Sequence, residues 1–294
     1  MKSNQASRTA EYMALFRALE SGRAPQDRLF DDPFACEFLS PNLRRVVSAA
    51  RLPVFGSWIP WLIDGRWPGA RTSAVARTRF IDDRLIAALD EGMSQVVILG
   101  AGFDCRAYRL PQLSRTRVFE VDHPATQRAK RACLGRCFDA LPGHVRFVAV
   151  DFNSQGLDVR LAEEGVSADT PTFWIWEGVT NYLSGEAVSA TLDSMRTSAP
   201  RSRLVFTYVH RGALDGVAEF PGKAALQKTL AQAGEVWTFG LDPAELPEYL
   251  ASRGFHLLED VGSVDYRALY LPAVPRLLRG YEFYRIAVAE TRSA

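Results

Sequence analysis

The chain has 294 residues, enough for one large domain or two small ones, and its apolar fraction of 47% supplies a sizeable core. Lys and Arg total 35 against 34 for Asp and Glu, so no global field attracts nucleic acid or an anionic membrane, and the expected partner is a small molecule bound locally. Cys36, Cys105, Cys133 and Cys137 show neither metal-ligand nor disulfide-framework spacing, which argues for no metal and a reduced, cytoplasmic chain. The N-terminus lacks the apolar core of a secretory signal, and the longest apolar stretch, "LPVFGSWIPWLI", is broken by Pro53, Gly56 and Pro60, so no membrane span is expected.

The first ninety residues read as mostly helical: 9–20, a segment from Pro33 behind Asp32 as N-cap, and 72–90, stopped near Gly92. Before the last of these, Phe55, Trp58, Trp61 and Trp67 stand among prolines and glycines, either as a lid over an apolar substrate or as a cap packed permanently on the core. Short β-rich runs follow at "QVVILG", "TRVFEV", "VRFVAV", "TFWIW" and "SRLVFTYV", with helix-like segments at 124–134 and 185–195. Runs without strict alternation suit strands buried on both faces, and their interleaving with helices predicts right-handed crossovers in a mostly parallel, doubly wound α/β sheet. The segment 212–239 is ambiguous; "DPAELPEYLASRG" then reads as a helix, and "FHLLEDV" and "FYRIAVAE" bring the strands to seven. Residues 1–92 therefore read as a helical N-terminal cap and 93–294 as the α/β core with a substrate-side insertion at about 212–240, in one continuous domain.

In an open α/β sheet ligands gather beyond the carboxyl ends of the strands, where Gly100 and Gly102 follow strand "VVIL". The two glycines either let the backbone approach a ligand or simply make a tight turn. Asp122, twenty residues after Gly102 and ending the next strand, has the spacing of a carboxylate that accepts from ribose hydroxyls, and it precedes Pro124 as a helix N-cap would. A dinucleotide fingerprint would place a third glycine where Cys105 stands, and Asp104 would repel a pyrophosphate. That carboxylate suits a cofactor bearing ammonium and sulfonium charges, so S-adenosylmethionine (SAM) fits better than NAD.

The ordered motifs "LGAGFDCRAYRL", "FEVDHP", "VDF" and "WEGVTNYL" resemble the leucine carboxyl methyltransferase family of SAM-dependent O-methyltransferases, in particular its bacterial small-molecule branch, from about Arg77 to Tyr208, with weaker echoes at "RLFDDPFA" and "FGLDPAEL". The resemblance implies a class I methyltransferase fold and a role in secondary metabolism. It implies that Gly100 and Gly102 back the methionine part of SAM, that Asp122 holds the ribose, that Asp151 accepts from the adenine amine with Phe152 beside it, and that Glu177 is a further cofactor-contacting acid. Arg77 matches the arginine that grips the SAM carboxylate, with Arg79 and Arg84 as competitors on the same helix. A second basic contact is expected near "DRLFDDP", where Asp27 and Arg28 leave the register open.

Methyl transfer from a sulfonium is an in-line displacement helped chiefly by alignment and exclusion of water. A carboxylate acceptor, as the resemblance implies, is already ionised and needs no base. A phenol or alcohol acceptor needs one, and His210, at the carboxyl end of a strand, is the candidate. Tyr182 and Tyr208 are candidates for orienting an acceptor oxygen, or else packing aromatics. The leading expectation is methyl-ester formation on an aromatic or polyketide-like acid. A hydroxyl O-methyltransferase, a non-catalytic SAM-binding protein and an NAD oxidoreductase are the other readings.

Overall fold

The computed structural model describes residues 8–52, 56, 58–150, 156–273 and 281–292. The described residues begin with α1 (Arg8–Ser21), followed by a single 3-10 turn at Ala35–Phe38, α2 (Pro41–Ala50), α3 (Trp58–Arg66) and the long α4 (Ala70–Asp90). The helix expected from Pro33 is only that turn. Asp32 does accept from the Phe34 amide at 3.2 Å, but its other oxygen is taken by Arg17, and the next helix starts at Pro41, whose fixed φ suits a first helical position.

The alternating part runs β1 (Gln95–Leu99), α5 (Arg106–Arg109), β2 (Arg117–Asp122), α6 (Pro124–Leu134), β3 (Val145–Ala149), α7 (Leu157–Glu163), β4 (Thr172–Trp176), α8 (Gly185–Arg196) and β5 (Arg203–Val209). Then come α9 (Arg211–Leu214), α10 (Lys223–Ala233), α11 (Leu246–Ala251), β6 (Phe255–Gly262), α12 (Ser263–Tyr270) and β7 (Tyr284–Thr291). The helix expected over 242–254 is regular only in α11, because Asp242 first folds back on the Ala244 amide at 2.9 Å and Gly254 then turns the chain at φ +80°.

Among the described residues the seven strands form one sheet in the order β3-β2-β1-β4-β5-β7-β6. All pairs are parallel except those of β7, which runs antiparallel to both β5 and β6. β1 and β4 are buried at every position, as central parallel strands covered on both faces must be. One face packs Val97, Phe119, Trp174 and Phe206 against Leu161, Leu192 and Leu250 of the later helices; the other packs Val96, Ile98 and Phe173 against Phe80, Ile81 and Leu85 of α4. A further apolar cluster joins Leu15, Phe16 and Leu19 of α1 to Val47, Val75 and Phe103, so the N-terminal helices are seated on the loop after β1. The chain leaves β1 toward β2 on one side and enters β4 on the other. The crevice at this reversal is where a doubly wound sheet offers a ligand site.

Candidate active site

A cavity of about 890 Å³ opens above the carboxyl ends of β1, β2 and β4, walled by α1, α4 and the segment around α10. Its floor is the turn after β1. Gly100 has φ +63°, and a Cβ there would come within 2.3 Å of Val179 Cγ2, so glycine is required by the chain's own packing as well as by its backbone angle. Gly102, at φ +42°, has only the Gly100 carbonyl near its missing Cβ, at 3.7 Å.

Asp122 ends β2 at this floor, with Oδ2 accepting from the Gly102 amide and Oδ1 from the His123 amide at 2.6 Å. Burial raises its pKa against the opposing effect of those two amides. The N-cap of α6 is His123, whose Nδ1 accepts from the Ala125 amide at 3.2 Å, so Asp122 clamps the glycine turn instead of capping the helix. Asp151 and Phe152 lie outside the described residues, as does Phe55; Val150, the residue before Asp151, lines the cavity.

Arg77 is buried on α4 and donates from Nε to Glu177 Oε1 at 2.8 Å, its guanidinium lying 4.9 Å from the centre of the Tyr284 ring. Its two competitors stand elsewhere: Arg79 pairs with Asp83, and Arg84 makes a two-pronged contact with Glu259. Neither lines the cavity. Glu177, just past β4, also receives Arg106 Nη1 on Oε2 at 2.9 Å. Burial pushes this carboxyl up, but Arg106 and Arg77 overcome it and leave it below its ordinary value. Asp104 is likewise opposed by burial and pulled down to about 2, first by Arg106, which it meets through a very short contact.

Three cavity arginines were not singled out from the sequence. Arg17 of α1 lines the cavity and donates to Asp32 at 2.8 Å and to the Phe103 carbonyl, whereas Arg28, in "DRLFDDP", pairs with Asp31 at 3.0 Å and does not line the cavity. The signal was available as helical spacing, since Met13, Phe16 and Arg17 fall on one face of α1. Arg106 and Arg109, both inside "CRAYRL", face the cavity from α5.

The end of the cavity toward α10 is different. Tyr12, Trp67, Tyr182, Trp237 and Tyr284 give it aromatic walls, and Glu235 is its charged group among the described lining residues. Glu235 Oε2 accepts from Thr9 Oγ1 at 2.6 Å and from the Tyr182 hydroxyl at 2.9 Å, and Trp67 Nε1 reaches Thr229 Oγ1 at 3.4 Å. Burial pushes the Tyr182 phenol well above its ordinary value, so it stays a neutral donor. Trp58 and Trp61 are 65% and 69% exposed on α3 and do not line the cavity.

The other two catalytic candidates are absent from the lining. Tyr208 is fully buried, its hydroxyl donating to Asp260 at 2.9 Å and accepting from Arg285 on the far side of β5. His210 Nδ1 accepts from the Gly212 amide at 3.0 Å, capping α9, and its ring lies tilted against that of Phe220, 5.3 Å between centres. Being at a strand's carboxyl end placed neither in the crevice, because β5 lies one strand beyond the reversal and its last side chains turn into the sheet's own packing.

The donor set suits SAM. A paired arginine and glutamate match a zwitterionic amino acid, and the strand-end carboxylate of Asp122 matches ribose hydroxyls. Among the described residues no His, Cys, Asp or Glu cluster has the arrangement of a metal site, and no helix is long and apolar enough to cross a membrane.

The chain is 35% identical over 258 residues to a protein of Parafrankia sp. (strain EAN1pec) named as an S-adenosyl-L-methionine-dependent methyltransferase, covering 84% of this chain and 76% of the other. A likewise-named protein of Streptomyces coelicolor is 38% identical over 229 residues, 74% of this chain and 75% of its own. In fold, a protein of Streptomyces avermitilis superposes with a TM-score of 0.61 at 14% identity, covering 99% and 98% of the two chains. A methyltransferase-titled structure from Thermobifida fusca gives 0.58 at 18%, covering 95% and 94%. The leucine carboxyl methyltransferase family model matches residues 10–196, and with these relatives it makes the chain a member of that family, a SAM-dependent methyltransferase.

Proposed function

We propose that the protein methylates an oxygen of a small aromatic acid, with the carboxylate as the acceptor. The glycine turn, Asp122 and the Arg77–Glu177 pair hold the cofactor, and the aromatic end under α10 holds the acceptor. When bound, SAM supplies a methyl group on a sulfonium to an in-line nucleophile. Arg77 and Glu177 meet the two charges of its amino acid end, Asp122 accepts from its ribose, and Trp67, Trp237 and Tyr12 exclude water beside the acceptor.

The observation carrying the carboxylate reading is the position of the histidines. His210 caps α9 away from the cavity, and the only described lining histidine, His123, caps α6 at the ribose end. A carboxylate acceptor ionises near pH 4 and needs neither. One arrangement favours a second reading: Glu235, already an acceptor for Thr9 and Tyr182, is a base within the aromatic end that a phenol could use.

Incubating the protein with methyl-labelled SAM and a set of aromatic acids, with mass spectrometry of the products, separates the two. The expected product is a methyl ester cleaved by mild alkali, with a single-turnover rate free of any slope from the acceptor's ionisation between roughly pH 6 and 9. An alkali-stable ether, together with a loss of about 100-fold or more in Glu235→Gln, would transfer the assignment to the phenol.

A further inference from the structure

Resting on the cofactor reading above, we infer that Asp82 is a positioning residue for the amino acid end of SAM, although it does not line the cavity. Asp82 sits on α4 five residues beyond Arg77 and is 3% exposed. Its Oδ1 accepts from Arg106 Nε at 2.7 Å, and both its oxygens contact Arg109 Nη2, at 2.8 and 2.7 Å. Arg106 is thereby held from behind. Its opposite edge, Nη1, serves Asp104 and Glu177 Oε2, and Glu177 Oε1 takes Arg77 Nε. The chain of contacts Asp82–Arg106–Glu177–Arg77 ties α4 to itself through the ends of β1 and β4.

Each link has a directional reason. A guanidinium is a planar fork, so fixing Nε fixes where Nη1 points. Glu177 is followed by Gly178, whose φ of +73° marks a turn just past β4, and the two arginines grip its carboxylate from opposite elements. Without the anion behind it, Arg106 is left with carboxylates on one edge only and is drawn toward Asp104. Glu177 then loses the geometry in which it meets an ammonium while Arg77 meets a carboxylate. Asp122, by contrast, is clamped by its own two amides, so the ribose side of the site does not depend on Asp82.

The inference is tested by calorimetry with two defined ligands, S-adenosylhomocysteine and 5′-methylthioadenosine, which share the nucleoside but differ in the amino acid tail. Asp82→Asn is expected to weaken S-adenosylhomocysteine by about tenfold or more, the loss of a charge-assisted contact, and methylthioadenosine by less than about threefold. In an Arg106→Lys background, which already lacks the fork, Asp82→Asn should add little, because Asp82 acts through Arg106. If Asp82→Asn does not fold, Asp82→Glu keeps the charge but displaces it by one methylene, and the same tail-selective loss is expected. Equal losses for both ligands, no loss in a folded variant, or additive losses with Arg106→Lys would make Asp82 a purely structural ion-pair partner. An unaltered protein that bound neither ligand would overturn the cofactor reading, and this inference with it.

Discussion

The two ends of the cavity are built in opposite ways. At the end over β1 and β2, four arginines (Arg17, Arg77, Arg106 and Arg109) each meet a carboxylate from another part of the chain, and most of these side chains are buried. At the end under α10 the walls are tied by hydrogen bonds, Thr9 and Tyr182 to Glu235 and Trp67 to Thr229. Among the described side chains of α10 only Leu230 is buried, and glycines at φ +82° and +72°, Gly222 and Gly234, bound the helix. Buried ion pairs lose most when one partner leaves, so they fix a geometry. Part-exposed hydrogen bonds are each worth about 1 kcal/mol and tolerate change. On the function proposed above, one end is rigid enough to hold a constant cofactor, and the other is free to differ in the acceptor it admits.

The sharpest way to break this contrast is at the floor of the rigid end. Gly100→Ala places a methyl group within 2.3 Å of Val179 Cγ2 at a backbone angle of +63°. Overpacking and the left-handed penalty together should cost about 2–4 kcal/mol, seen as a lower Tm. Adding Val179→Ala should recover part of that loss. A Gly100→Ala protein that melts like the unaltered one would mean that the floor yields as readily as the roof.

A smaller effect is expected from pH. Behind the floor, Lys130 Nζ lies 2.8 Å from Glu120 Oε2, both fully buried. Burial raises the Glu120 carboxyl from 4.5 to about 7 despite Lys130. A raised pKa in the folded state means that folding takes up a proton. The resulting stability is complete below about 4.5 and is lost as pH rises through about 7. Glu120→Gln removes that titration, so its Tm relative to the unaltered protein should rise between pH 5 and pH 8, by the equivalent of roughly 1–3 kcal/mol. A difference that stays flat over this range would show that Lys130 keeps the carboxylate ionised.

The same contrast explains what the sequence made legible. All seven strands announce themselves as β-rich runs, and strand ends carry Asp122 and Glu177 into the crevice because topology alone decides where strands end. Arg77 was separable from Arg79 and Arg84 only through motif resemblance, since helical phase leaves all three near the rim; in the fold Asp83 and Glu259 occupy the others. Arg106 and Asp82 were missed because their roles depend on contacts across 24 residues of chain that no local pattern records. Glu235 was missed for a stronger reason: it lies at the end of a segment without clear periodicity, and its neighbours Thr9 and Tyr182 come from positions 226 and 53 residues away. For His210 and Tyr208 the sequence shows a strand's carboxyl end but not which strands border the reversal, and β5 does not.

The smallest expected effect is the most selective. Tyr182 donates to Glu235 from one side of the acceptor end while Thr9 holds the same oxygen from another. Tyr182→Phe keeps the aromatic wall and removes one neutral donor to a carboxylate, which still has Thr9. With the acceptor identified by labelled methyl transfer, kcat/KM for it should fall by about 3- to 10-fold, the worth of a single part-buried hydrogen bond. The affinity for S-adenosylhomocysteine should stay within about twofold, because Tyr182 donates into the hydrogen-bonded end and not into the Arg77–Glu177–Arg106 network. Tm should move little for the same reason. An equal loss of cofactor affinity would mean that the clasp around Glu235 also shapes the rigid end. The two halves of the cavity would then be one mechanical unit, and acceptor choice could not vary without disturbing the cofactor site.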